Sequence, residues 1–127
     1  MGNRELEEKL KELNIEDFIW VVYIFIIFMS WYSNSKERHY FICKDEKSKE
    51  DYRCIVVMIF TILLVVYLYF VKGSWESYKK LKSSDSPKTR ELAILSLVAS
   101  LLIAVSGAIF LYIALVDENL SIEVAFN

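Results

Sequence analysis

The chain has little of the material from which catalytic and metal sites are built. Its 127 residues include one histidine, His39, and two cysteines, Cys43 and Cys54. Zinc sites usually need four ligands at paired spacings, which three scattered residues do not provide. A cysteine hydrolase using Cys43 and His39 would lack a third group to orient the base. We therefore expect no metal, no cofactor and no enzymatic activity. The cysteines are interpreted either as two free thiols or as a disulfide, if their loop faces an oxidising exterior.

Charge is absent from three long stretches of the chain, residues 18–33, 54–71 and 92–116. Coupled transport normally needs an ionisable side chain at membrane depth, so these stretches argue against a secondary transporter. Glycine is also scarce, with three in all, so no glycine-rich selectivity filter is present. A pore would have to be built from several copies.

Apolar residues are abundant, at 55% of the chain with a mean hydropathy of +0.33. A soluble domain of this length does not need so large an apolar share, and a membrane span needs about 20 apolar residues. The sequence predicts an all-α membrane protein with three transmembrane helices in a small bundle. We divide it into an amphipathic N-terminal helix (1–14), transmembrane helix 1 (15–33), a first loop (34–53), transmembrane helix 2 with a juxtamembrane extension (54–82), a second loop (83–91), transmembrane helix 3 (92–116) and a strand-like tail (117–127).

Leucines at positions 6, 10 and 13 form one narrow apolar stripe on the charged N-terminal helix. The stripe has two interpretations: a solvated helix packed lightly on its own protein, or a helix that pairs with a partner. Asn14 can cap a following helix, and Glu16 and Asp17 would then lie at its positive end. We therefore expect the chain to bend or restart at Asn14.

The two ends of the third helix carry further local signals. Ser86 is predicted as its N-cap, with Pro87 at the first helical position. After the helix, residues 120–127 alternate apolar and polar side chains, which is typical of a short strand. We predict that this tail forms a small extramembrane β pairing with residues 39–43 of the first loop. A disordered or helical tail and a strand that pairs with another protein are the alternatives.

Small residues recur along the third helix at two spacings. One ladder has four-residue steps, and the other has seven-residue steps and shares Ser100 with it. Because small side chains let helices approach closely in lipid, both ladders indicate a packing surface. It could hold the bulkier first two helices around a central third helix, join third helices of different copies, or receive another membrane protein. The four-step ladder consists of Ser96, Ser100, Ala104 and Ala108, and the seven-step ladder consists of Ala93, Ser100, Gly107 and Ala114.

Basic residues predict the orientation of the chain. The N-terminal segment and residues 72–91, which comprise the juxtamembrane extension and the second loop, together carry nine, against six in the first loop and tail. The positive-inside rule then places the N-terminus in the cytoplasm and the C-terminus outside. The six basic residues in 72–91 could be considered a nucleic-acid patch, but contact with acidic lipid headgroups is the better interpretation. We therefore expect no nucleic-acid partner. The six residues are Lys72, Lys79, Lys80, Lys82, Lys88 and Arg90.

These features predict a non-enzymatic, three-pass membrane protein that acts by helix–helix association with itself or with another membrane component, as an accessory or immunity-type protein. The alternative is an oligomeric pore of the holin or membrane-effector type, with Thr61, Ser96, Ser100 and Ser106 lining the pore. The abundance of lysine and isoleucine indicates an AT-rich bacterial genome, and hence a bacterial cell membrane.

Overall fold

A computed structural model describes residues 2–117 and Leu120 as three long helices joined by short turns. They are α1 (Asn3–Cys43), α2 (Glu46–Lys79) and α3 (Pro87–Val116). All three are long and apolar enough to cross a membrane. The described residues contain no strand. The all-α prediction is therefore confirmed.

Helix α1 is continuous, which corrects the predicted bend or restart at Asn14 and the predicted end of the first helix at residue 33. Its 41 residues pass through Asn14 without a break and extend ten residues beyond the first apolar run. Asparagine inside a helix costs less than about 1 kcal/mol relative to alanine, which is too little to interrupt a long helix. At 1.5 Å per residue α1 is about 62 Å long, roughly twice the thickness of a bilayer core.

The predicted first loop, residues 34–53, is reduced to the turn at Lys44 and Asp45. Lys44 takes a left-handed conformation, with φ of 56°, and its N–H donates to the Tyr40 carbonyl at 2.7 Å. The Asp45 carboxylate accepts the backbone N–H of Lys47 and so caps α2. Because residues 39–43 form the last turn of α1, they are not a strand partner for the tail. Tail residues 118, 119 and 121–127 lie outside the described residues.

The turn between α2 and α3 follows the prediction more closely. Helix α2 continues past its apolar run and ends at Lys79, three residues before the predicted position. Ser86 is the N-cap of α3, its hydroxyl accepts the Thr89 N–H at 3.2 Å, and Pro87 is the first helical residue. The predicted N-terminus of α3 is thus confirmed.

Helix α2, and not α3, lies at the centre of the bundle. In its apolar window 28% of residues are buried, against 11% in α1 and in α3. Within the described ranges no Cα atom of α1 comes within 8 Å of one in α3. The three helices therefore form a row in which α1 and α3 each pack on α2. The expectation that α3 is central is wrong.

Candidate functional site

The small residues of α3 form its contact with α2. Gly107 and Ala114 of the seven-step ladder are buried, and Ala93 and Ser100 are half-buried. A Cβ atom at Gly107 would lie 2.9 Å from Cδ2 of Tyr67, so glycine is required for this approach. Repeats of seven residues are typical of left-handed helix pairs. The seven-step ladder is thus the surface of α3 that packs against α2.

Only part of the four-step ladder lies on this contact surface. Ala104 is buried against α2, whereas Ser96 and Ala108 are exposed. The first helix does not pack into this surface, because its large aromatic side chains point outward. Five of them are between 59% and 70% exposed: Phe18, Trp20, Phe25, Phe28 and Trp31.

Three serines link α2 and α3 near the second turn. The Ser100 hydroxyl donates to the Ser96 carbonyl at 2.9 Å. Each hydroxyl has one hydrogen, so the Ser100 oxygen, 2.8 Å from the Ser74 oxygen, accepts the hydroxyl hydrogen of Ser74. Ser96 Oγ, 3.2 Å away, is left to donate to Ser74 Oγ. This serine chain fixes the register of the two helices.

Beside the serine chain, an open cavity of about 610 Å³ lies between α1, α2 and α3. Its volume is within the range of about 300–1,000 Å³ that is common for ligand sites. Gly73 contributes to the wall, and a Cβ atom built there meets nothing within 4 Å. The cavity is therefore an open space into which a side chain at position 73 could extend.

The cavity wall carries both signs of charge. Helices α1 and α2 supply three basic and three acidic residues, Lys9, Lys72, Lys80, Glu12, Glu16 and Glu76. None of these six takes part in an ion pair within 4 Å in the part of the chain that the structure describes. Cations and anions thus surround one volume without neutralising each other directly.

The apolar runs of α2 and α3 end at different levels beside this cavity. The apolar run of α2 ends at Val71, whereas that of α3 extends back to Leu92. Because Ser74 contacts both Ser96 and Ser100, the charged end of α2 lies beside the first apolar turns of α3. The charged lining residues of the cavity therefore come from α1 and α2, whereas α3 contributes Ser96, Ser100 and Ile103.

A second distinctive surface lies on the N-terminal part of α1. Residues 3–18 of this helix are all exposed, and Leu6, Leu10 and Leu13 are 47%, 51% and 42% exposed. At about 100° per residue, this leucine stripe is centred roughly a third of a turn from the side that lines the cavity. The cavity wall and the leucine stripe are therefore separate surfaces of one helix.

At the opposite end, polar contacts hold the α1–α2 turn. Ser48 Oγ donates to the Asp45 carboxylate at 3.1 Å and lies 2.8 Å from Nδ1 of His39. The Lys47 backbone N–H and the Ser48 hydroxyl hold the pKa of Asp45 below its ordinary value. His39 therefore has a structural role, because its contact with Ser48 helps to hold this turn. A group of three or more His, Cys, Asp or Glu that could hold a metal is absent from the described residues.

Arg53, also at this end, connects α2 to the C-terminal end of α3. Its Nη2 donates to the Leu115 carbonyl at 3.0 Å, while its Nε is buried without a partner among the described residues. The last turn of α3 has no basic residue of its own. Arg53 therefore supplies the positive charge that stabilises a helix C-terminus.

The disulfide considered for Cys43 and Cys54 is not formed, and both thiols are free and exposed. The pair His39–Ser48, with the pair Lys36–Asp51 at 3.5 Å, sets the register of the helical hairpin. Cys54 is therefore level with Ser33 of α1, about ten residues before Cys43 and on the order of 15 Å away along the axis. A disulfide requires Cα atoms within about 7 Å.

The six basic residues assigned to headgroup contact all lie at the α2–α3 end, but they differ in environment. Lys72 and Lys80 line the cavity. Lys79, Lys82 and Lys88 are exposed at the turn, and Arg90 donates to the Lys82 carbonyl at 2.6 Å. Sequence reasoning missed the cavity itself. The unequal ends of the second and third apolar runs were the signal that could have indicated it.

Known proteins offer no further guide to these surfaces. No protein-family model, no curated protein and no solved structure matches the chain.

Proposed function

We propose that this protein is a non-enzymatic, three-pass membrane protein that binds a partner through the leucine stripe of α1, as an accessory or immunity-type protein does. The observation that carries the proposal is the exposure of Leu6, Leu10 and Leu13 on the part of α1 that precedes its apolar run. With a hydrophobic span of residues 18–33, residues 3–17 project about 22 Å from the membrane.

The charge of this segment indicates the chemistry of the partner. Residues 1–17 contain six acidic and three basic side chains, a net charge of −3. Two such segments would repel one another, whereas a basic surface would attract this one. The partner is therefore a membrane component that presents an apolar, basic-flanked helix on the cytoplasmic side. Helix-in-groove and helix-pair recognition both use apolar anchors at this spacing.

The location follows from the same features. Three apolar helices support integration into a membrane, and the distribution of basic residues favours a cytoplasmic N-terminus and an external C-terminus. The composition favours a bacterial cell membrane. In this orientation the leucine stripe is in the cytoplasm.

Photo-crosslinking from α1 tests the proposal. A benzophenone amino acid at Leu10 should yield one adduct of defined mass in intact membranes, whereas the same group at Glu8, on the opposite face, should not. Replacing Leu6 and Leu13 by glutamate should reduce the Leu10 adduct about tenfold or more, because each buried leucine contributes about 1.5–3 kcal/mol.

Two results would overturn this function. Equal labelling from Leu10 and Glu8, or none from either, would mean that the stripe is merely solvated. An adduct of twice the chain mass would instead identify a second copy and make the protein a self-associating one.

A further inference from the structure

We propose that the cavity between α1, α2 and α3 binds the headgroup of a zwitterionic phospholipid, one that carries a phosphate and an amine. This site is distinct from the leucine stripe, and it requires only that the three helices lie in a bilayer. The proposal rests on the position of the cavity, the charges on its wall and the apolar residues at the end of the cavity nearer the middle of the helices.

The position of the cavity matches the depth of a headgroup. It lies where the apolar run of α2 gives way to Lys72 and Gly73, and where α1 changes from Glu16 to its apolar residues. A bilayer aligned with these runs has its polar region at this level. The cavity is open, so a lipid can enter from the side without crossing the protein.

The charges match a ligand with both signs. Lys72 and Lys80 can bind a phosphate, and Glu12 and Glu16 can bind an ammonium group. A purely anionic headgroup would leave the three carboxylates unneutralised beside it. The zwitterion satisfies both sets of charges.

The polarity of the walls matches the two parts of an amphiphile. The charged end of α2 faces the headgroup, and Ile103 of α3 with Phe70 of α2 continues the lining toward the apolar interior. Acyl chains can follow these side chains while the headgroup stays among the charges. A free phosphate would use only the basic residues.

Native mass spectrometry of protein extracted from vesicles tests the site. The vesicles contain equal amounts of phosphatidylethanolamine and phosphatidylglycerol. Wild-type protein should retain one phosphatidylethanolamine. Gly73→Leu fills the open space at the wall and should reduce retention at least fivefold. Ser106→Leu, which also introduces a leucine but on an exposed face outside the cavity, should retain lipid as the wild type does.

Charge variants identify which part of the lipid is bound. Lys72→Gln with Lys80→Gln, and separately Glu12→Gln with Glu16→Gln, should each reduce retention of phosphatidylethanolamine. These residues are exposed, so the pairs also test the site if Gly73→Leu fails to fold, which circular dichroism would show. An excess of inorganic phosphate should not displace the lipid.

Other outcomes would overturn the proposal. Equal retention by wild type and Gly73→Leu, or no retention at all, would mean that the cavity is not a lipid site. Preference for phosphatidylglycerol, loss only in the lysine pair, or displacement by phosphate would identify an anion site. None of these results would affect crosslinking from Leu10, so the two proposals fail separately.

Discussion

Gly107 is the residue that sets how closely α3 approaches α2. Its α-carbon faces the ring of Tyr67, and a methyl group there would lie 2.9 Å from Cδ2 and 3.2 Å from Cε2. Real Cβ contacts essentially never reach the shorter distance, so the ring or the helix would have to move. In lipid, such close contact is a main source of helix association, because lipid tails are as apolar as the side chains.

Replacing Gly107 by leucine should therefore destabilise the α2–α3 pair by about 1–3 kcal/mol, the usual effect of overpacking. Gly73→Ala is the control for the loss of a glycine from a helix where no neighbour is in contact. Position 73 is also helical, but its Cβ meets open space, and alanine has a helix propensity better by about 1 kcal/mol. Thermal unfolding in one mild detergent measures both variants. An unchanged midpoint for Gly107→Leu would contradict the close approach of α3 to Tyr67.

The register of α2 against α3 is set by contacts distributed along their whole length. Ser74 meets Ser100 at one end, the rings of Phe60 and Phe110 are 5.6 Å apart in the middle, and Arg53 reaches Leu115 at the other end. An antiparallel pair with these three contacts has only one alignment. A shift by one turn would separate all of them.

This register predicts a specific crosslink. In a chain whose native cysteines are replaced by serine, Ser74→Cys with Ser100→Cys should oxidise to an intramolecular disulfide, because the two hydroxyl oxygens are 2.8 Å apart. Ser74→Cys with Ser106→Cys should not, because residue 106 is nearly two turns further along α3. Loss of two hydrogens in the intact mass reports the bond. A crosslink to position 106 instead of 100 would require a different register.

The sequence allowed the number and type of elements to be predicted, but not their neighbours. Apolar runs locate the lipid-facing stretches, and Ser86 and Pro87 locate the start of α3, since capping is a local property. The runs do not locate helix ends, because charged residues such as those after Ser33 are good helix formers in water. The loop predicted at 34–53 was therefore mostly helix.

The order of the helices was unpredictable for a different reason. A small-residue ladder shows that a helix can be approached closely, but not how many neighbours it has. The aromatic side chains of α1 suggested a match to the smooth α3, yet in lipid there is no hydrophobic penalty for leaving Phe25 or Trp31 outward. The cavity, which needs three helices in a known register, lay beyond local pattern reasoning.

At the scale of the whole molecule, the row of three helices keeps several distinct surfaces apart. The central α2 contributes most of the buried side chains, while α1 and α3 present apolar faces outward. The leucine stripe and the charged cavity both lie at the end that carries the N-terminus and the α2–α3 turn. In the proposed orientation, the proposed partner and the proposed lipid headgroup would both bind at the inner leaflet.

The row also bears on pore formation, because a pore needs polar side chains that face a shared channel. Of the four residues considered as a lining, Ser96 and Ser100 are joined to Ser74, and the Thr61 hydroxyl donates to the Val57 carbonyl at 2.7 Å. Only Ser106 has no hydrogen bond within the described part of the chain, and one hydroxyl per copy does not line an aqueous path.

We therefore expect liposomes containing the purified protein to retain an entrapped fluorescent dye at every protein-to-lipid ratio, with detergent lysis defining complete release. The Ser74→Ala variant removes the Ser74 partner of the Ser96 and Ser100 hydroxyls and serves as a comparison with more unpaired hydrogen-bonding groups on α3. Release that rises steeply with protein density in the wild type would contradict the expectation and favour an assembled pore, since leakage through an assembly depends on the number of copies that meet.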